Sequence, residues 1–199
     1  PWLQALAQVL LLLALARPLA VDTLTTITAR GVDIALAIDL ASSMLAVDRG
    51  VADPGKTRLA VAKEVVGEFV ARRPGDRIAV VAFGARAYPV APLTLDHDWL
   101  AGAVAQLDTG SVEDGTALGD GLLSAIDRLR ASPAKSRTVV LVTDGRSNAG
   151  DRNPRAAASV AAALGIRVHV IGIGGTAGTL FPVADPLGGV SWREVRAAR

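Results

Sequence analysis

Four short runs of β-branched and small apolar residues, set apart by segments of helical periodicity, constrain this chain more than any other feature. They are VDIALAI (32–38), RIAVVAF (77–83), TVVLVT (138–143) and IRVHVIGI (166–173). Runs of this kind predict interior strands of a parallel sheet, covered on both faces. Helical stripes lie between them. Leu59, Ala62, Val66 and Phe69 fall on one face, with Lys63, Glu64, Glu68 and Arg72 turned away and Pro74-Gly75 as the stop. A second helix is expected after Asp98 as cap, with Trp99, Val104 and Leu107 facing inward, and a third carries Leu118, Leu122, Ile126 and Leu129. The fourth opens on Asn153 with Pro154 at its first position and closes at Gly165. AYPVAPL (87–93) holds two prolines and suits only an edge strand. Strand–helix alternation of this kind predicts an α/β, doubly wound, mostly parallel central sheet with helices on both faces, because right-handed crossovers place them there.

The first residues are of another character. Trp2 to Ala16 carry no charge, and LLLL (10–13) leads into ALARP. Fifteen residues rise roughly 22 Å as a helix, short of the ~30 Å hydrocarbon layer. The expectation is a partial hydrophobic membrane helix over 1–20, a linker over 21–31 and one domain over 32–199. A signal peptide ending at the A-x-A of Ala14 and Ala16, or a core helix, are the alternatives. With 199 residues and 51% hydrophobic content, one substantial core is the natural outcome. A net charge of +2, with Lys and Arg dispersed among Asp and Glu, argues against a nucleic-acid partner, which calls for clustered cations. The absence of cysteine removes disulfides and thiolate metal sites.

In open α/β sheets, ligands gather at the carboxyl ends of the strands. The first central strand ends on Asp39, followed by Leu40-Ala41-Ser42-Ser43, and the strand over 138–142 ends in Thr143-Asp144-Gly145. The loop EDGT (113–116) precedes the third helix at the same rim. Asp39, Ser43, Thr116 and Asp144 are therefore expected to converge. Their oxygens, hydroxyl and carboxylate, suit a hard divalent cation such as Mg²⁺ with positions left for water or an external acid. The plainer alternative is that the two aspartates only accept backbone N–H bonds within their loops.

These segments, with RLAVAKEVVGEFV, PLTLDHDWL, AKSRTVVLVTDGRSNAG and LGIRVHVIGIG, resemble in this order the von Willebrand factor type A (VWA) family. More closely, they are similar to the membrane-anchored bacterial aerotolerance proteins of the BatA type. The resemblance implies a metal-ion-dependent adhesion site built on a D-x-S-x-S motif, a Thr and a second Asp, which by position are Asp39, Ser43, Thr116 and Asp144. Ala41 stands where the motif has its first serine. Metal binding, to Mg²⁺ or to Mn²⁺ or Ca²⁺, is therefore expected to be weakened or lost, and Ser42 is no obvious substitute, since neighbours in an extended segment point apart. The resemblance further implies a protein-interaction module on the bacterial cytoplasmic membrane, with its domain on the extracytoplasmic side. Its implied partners are a MoxR-type AAA+ ATPase, sister VWA proteins and an acidic side chain that completes the metal shell. One more strand and helix usually follow the region around WREVRAAR in this fold, so the last visible strand is expected to lie as an exposed edge. A VWA subunit of a metal-chelatase-like AAA+ machine is the alternative.

Enzymatic readings fare worse. A phosphotransferase of the haloacid dehalogenase type needs a second carboxylate where Ala41 stands. GRSNA (145–149) approaches a serine-hydrolase elbow without its last Gly, His169 reads as a packed core residue, and His97 as a solvated loop residue. GIGGTAG (172–178) reads as a turn. The expectation is a binding protein, not an enzyme.

Overall fold

The computed structural model describes residues 2–16, 31–48, 55–145, 147–175, 178–184 and 190–195. Helix α1 (Trp2–Ala16) comes first, with Trp2, Leu3, Leu6 and Leu11 exposed. It is 15 residues long, and no helix among the described residues is long and apolar enough to cross a membrane. The linker expected over 21–31 lies outside the described residues except for Gly31.

The remaining elements run β1 (Asp33–Asp39), a 3₁₀ turn (Ser42–Leu45), β2 (Val47–Asp48), α2 (Arg58–Ala71), β3 (Arg77–Phe83), β4 (Ala87–Thr94), α3 (His97–Ala105), α4 (Leu118–Arg130), β5 (Arg137–Thr143), α5 (Pro154–Ala163), β6 (Arg167–Gly172), β7 (Thr179–Ala184) and β8 (Val190–Val195). The main sheet has the order β4-β3-β1-β5-β6, all neighbours parallel except β4 against β3. β1 lies at its centre, so its carboxyl end points into the middle of one rim.

Alternation along the strands divides the core in two. Ile34, Leu36, Ile38, Ile78, Val80 and Val142 pack with Leu59, Ala62, Val66 and Val70 of α2 and Leu100 and Val104 of α3. The opposite face of the same strands presents Ala35, Ala37, Ala79, Val81, Phe83 and Leu141 to Leu122, Ile126 and Leu129 of α4 and Ala157 and Ala161 of α5. The small residues on this second face let α4 approach closely. A Cβ at Gly121 would lie 2.7 Å from the Phe83 ring, so a hydrogen is all that the contact admits.

Several expectations are corrected. β6, whose apolar run reads as interior, is an edge of the main sheet among the described residues, as expected of the last strand in the apolar series, and its side chains are mostly exposed. His169 is accordingly exposed, not packed in the core. The cap of α3 is Asp96, whose carboxylate accepts from the Trp99 N–H at 3.0 Å, and Asp98 sits in the first turn. This shift turns Trp99 outward to 50% exposure, and Leu100 fills the core position instead. His97 is half-buried as the first residue of α3, its Nε2 3.0 Å from the Asp76 carbonyl. A second, antiparallel sheet, β2-β7-β8, was not anticipated; it joins the molecule through a ladder of two pairs, Val47 with Leu180 and Asp48 with Thr179. The fourth helix begins and ends as expected, with the Asn153 carboxamide accepting from the Arg155 N–H and Gly165 at φ +66° beyond its end.

Candidate functional site

The rim is assembled by three loops that hold one another through their backbones. Leu40 N–H donates to the Phe83 carbonyl at 2.8 Å, extending the β1–β3 ladder past Asp39. Ala117 N–H donates to the Gly84 carbonyl at 2.7 Å, and Ala85 N–H to the Glu113 carbonyl at 2.8 Å. Gly84 has no room for a side chain, since a Cβ there would meet the Glu113 carbonyl oxygen at 2.4 Å. The third loop joins through Asn148, whose carboxamide oxygen accepts from the Thr116 N–H at 2.8 Å. In return, Asn148 and Ala149 N–H groups donate to the Thr116 carbonyl.

Asp39 is fully buried beneath this rim. Its Oδ1 accepts from the Ala41 N–H at 3.0 Å and its Oδ2 from the Thr143 hydroxyl at 2.7 Å. Burial pushes its carboxyl up to about 6, against those two hydrogen bonds, and the nearby Asp144 and Asp114 carboxylates push the same way. Above it opens a cleft of about 320 Å³ lined by Ala41, Ser42, Ser43, Asp114, Thr116 and Asn148, among others. Ser42 is not in an extended segment, as expected, but in the 3₁₀ turn, where both its N–H and its hydroxyl donate to Asp114, at 2.8 and 2.9 Å. These bonds hold the Asp114 carboxyl below its ordinary range.

The structure thus places Ser43 and Thr116 on one cleft, while Asp39 lies buried next to it through its bond from the Ala41 N–H, and Asp144 follows Thr143, the residue whose hydroxyl donates to Asp39. Asp144 is not free, however. Its Oδ2 accepts from Arg58 Nη1 at 3.0 Å, and Arg58 is in turn gripped by Asp48 through Nε at 2.8 Å and Nη2 at 2.7 Å. Sequence reasoning missed Asp114, Asn148, Arg58 and Asp48. Asp114 lies inside the EDGT loop and was within reach of the argument. Arg58 left one local clue, a cation in the first turn of α2, where the helix dipole disfavours it.

The donor set can be tested against a divalent cation. Among the described residues, no group of three His, Cys, Asp or Glu side chains is placed to hold a metal. Hydroxyls must therefore contribute. The Ser42 and Thr143 hydroxyls are already engaged, whereas those of Ser43 and Thr116 make no hydrogen bond among the described residues. Thr116 is nearly buried as a residue, yet its hydroxyl is not sealed from the cleft, so water or a cation can reach it. The oxygens that a hard cation would use here are the buried Asp39 carboxylate and the two unspent hydroxyls at the cleft. Ala41 contributes a buried methyl to the cleft lining.

Proteins of known sequence and structure are similar to this chain in fold. An uncharacterized protein of Borreliella burgdorferi is 31% identical over 169 residues, which are 85% of this chain and 48% of that protein. The chain thus spans about half the length of the curated relative it matches. The crystal structure of an aerotolerance-related membrane protein from Bacteroides fragilis superposes with a TM-score of 0.69 at 26% identity, covering 82% of this chain and 81% of that one. Proximal thread matrix protein 1 from the mussel byssus, in a structure whose adhesion-site (MIDAS) motif is occupied by zinc, gives 0.58 at 28% identity over 71% of this chain and 35% of its own. A family model for the von Willebrand factor type A domain matches residues 23–146, well over half the chain. With its sheet order, its three-loop rim and this match in agreement, the chain belongs to the von Willebrand factor type A family.

Proposed function

We propose that the protein is a membrane-anchored interaction module whose rim docks an acidic side chain of a partner protein through a divalent cation. The observation that carries this reading is the pair of unspent hydroxyls, Ser43 and Thr116, on a cleft backed by the buried Asp39. Asp39, Ser43, Thr116 and Asp144 would hold the cation. When bound, a cation with mostly neutral ligands supplies uncompensated positive charge that attracts an external carboxylate. The chain's own contribution is rigidity. Thr143 and the Ala41 N–H fix the Asp39 carboxylate, and Asn148 fixes the Thr116 backbone, so little ordering remains when a partner arrives.

The reading is non-enzymatic, because the position at which a phosphotransferase would keep its general acid is the methyl of Ala41. The exposed apolar residues of α1 support a membrane anchor, and family resemblance supports the bacterial cytoplasmic membrane with the domain on its extracytoplasmic face. Family resemblance supports a MoxR-type AAA+ ATPase and sister VWA proteins as partners, in envelope stress or protein assembly. Calorimetric titration with Mn²⁺ tests the site: binding is expected in the starting protein, strengthened when acetate is present, and lost in Thr116→Val. Equal binding in Thr116→Val would refute the site. Flotation with lipid vesicles, before and after removal of residues 1–16, tests the anchor, and equal flotation would refute it.

A further inference from the structure

Arg58 joins parts of the molecule distant in sequence. Its guanidinium reaches Asp48 at the end of β2, Asp144 at the end of β5 and the Thr179 hydroxyl at the start of β7, the last at 3.2 Å. Thr179 also donates to Asp48 at 2.8 Å. The three charged side chains are 5 to 12% exposed, so solvent screens them little. Asp48 holds two of the guanidinium nitrogens and pulls its own carboxyl below the ordinary range in doing so, while Asp144 receives a single bond at one oxygen. The positive charge is therefore shared unequally. Most of it is satisfied by Asp48, and the remainder falls on Asp144, the residue after Thr143, whose hydroxyl donates to Asp39.

We propose that Arg58 competes with a divalent cation for Asp144 and that Asp48, by gripping Arg58, limits this competition, so that the Asp48–Arg58 pair sets how tightly the rim holds metal. The proposal rests on the cation reading above and adds two positioning residues that would not themselves touch the cation. Its signature is a pair of opposite signs. Arg58→Gln removes the competitor and leaves Asp48 negative, which tightens cation binding. Asp48→Asn leaves the guanidinium uncompensated beside Asp144, which weakens it. Ordinary structural damage weakens binding in both. The double variant Asp48→Asn with Arg58→Gln removes both charges and returns affinity toward that of the starting protein.

The test is titration of the full chain with Mn²⁺ alone, read by calorimetry and by the electron paramagnetic resonance of free Mn²⁺, with Asp39→Asn as reference and thermal unfolding of each variant alongside. The expected result is a roughly tenfold gain in affinity for Arg58→Gln and a similar loss for Asp48→Asn, within the range usual for coupled sites. Shifts in the same direction, or no shift in either, overturn the role of the pair, and Mn²⁺ binding that still depends on Asp39 would then leave the cation reading standing. Mn²⁺ binding that survives Asp39→Asn, or that is absent from both the starting protein and Arg58→Gln, overturns the cation reading and this inference with it.

Discussion

Asp39→Asn separates the cost of the rim from its use. In the folded chain the carboxyl is raised from 3.8 to about 6, so the folded state binds its proton more tightly than the unfolded state. The stability that this proton contributes is present in full below pH 3.8 and is lost as pH rises through about 6. A gap of about two pH units, at about 1.4 kcal/mol each, makes ionised Asp39 a burden of about 3 kcal/mol at neutral pH. Asparagine removes the charge but not without loss. Its oxygen still accepts from the Ala41 N–H, yet its amide must donate to a Thr143 hydroxyl that already accepts from the Gly145 N–H at 3.1 Å. Thr143 then loses its acceptor, at about 1 kcal/mol. The variant is expected to be about 2 kcal/mol more stable than the starting protein at pH 7.5 and about 1 kcal/mol less stable at pH 3.5. Urea unfolding across that range, with EDTA present, measures both ends. Parallel pH profiles for the two proteins, or a variant less stable at pH 7.5, would refute the reasoning.

Ala41→Ser restores an oxygen at the cleft and should tighten Mn²⁺ binding on the order of tenfold, about 1.4 kcal/mol, by calorimetry; unchanged affinity would count against the liganding argument. Gly121→Ala drives a methyl into the Phe83 ring and should destabilise by about 1 to 2 kcal/mol, since the overpacking outweighs the gain in helix propensity; thermal unfolding reports it. Asp33 is buried at the opposite end of β1, held by Arg77 at 2.9 Å and by the Ser132 hydroxyl. Asp33→Ala should cost about 1 to 3 kcal/mol of stability while leaving Mn²⁺ affinity unchanged, because it lies away from the rim.

The central strands were legible because burial on both faces demands unbroken apolar runs. The run read at 77–83 is β3 residue for residue, and β1 and β5 differ from their expected bounds by one residue. The β6 run reads as interior for a related reason: it looks the same whether another strand lies beyond it, and only the sheet order settles that it is an edge. Trp99 and Asp98 were misplaced together. Asp96 and Asp98 are both fair caps, and choosing the later one rotates the whole face of α3. The second sheet gave little signal, because β2 has two residues and β7 contains Pro182. At the rim, topology assigned Asp39, Ser43, Thr116 and Asp144 to one edge of the sheet, and of these Ser43 and Thr116 line one cleft. Arg58 stayed hidden because its partner Asp144 lies 86 residues away, and local pattern does not encode such a pairing.

The two-pair ladder by which β2 holds β7 also shapes how the molecule breathes. Held, among the described residues, by so few backbone bonds and the Thr179 hydroxyl, the β7–β8 pair can detach while the five-stranded sheet stays closed. The amide protons of β7, where Pro182 has none, should then exchange through local opening, insensitive to mild denaturant, whereas those of β1 wait for the entire core to open.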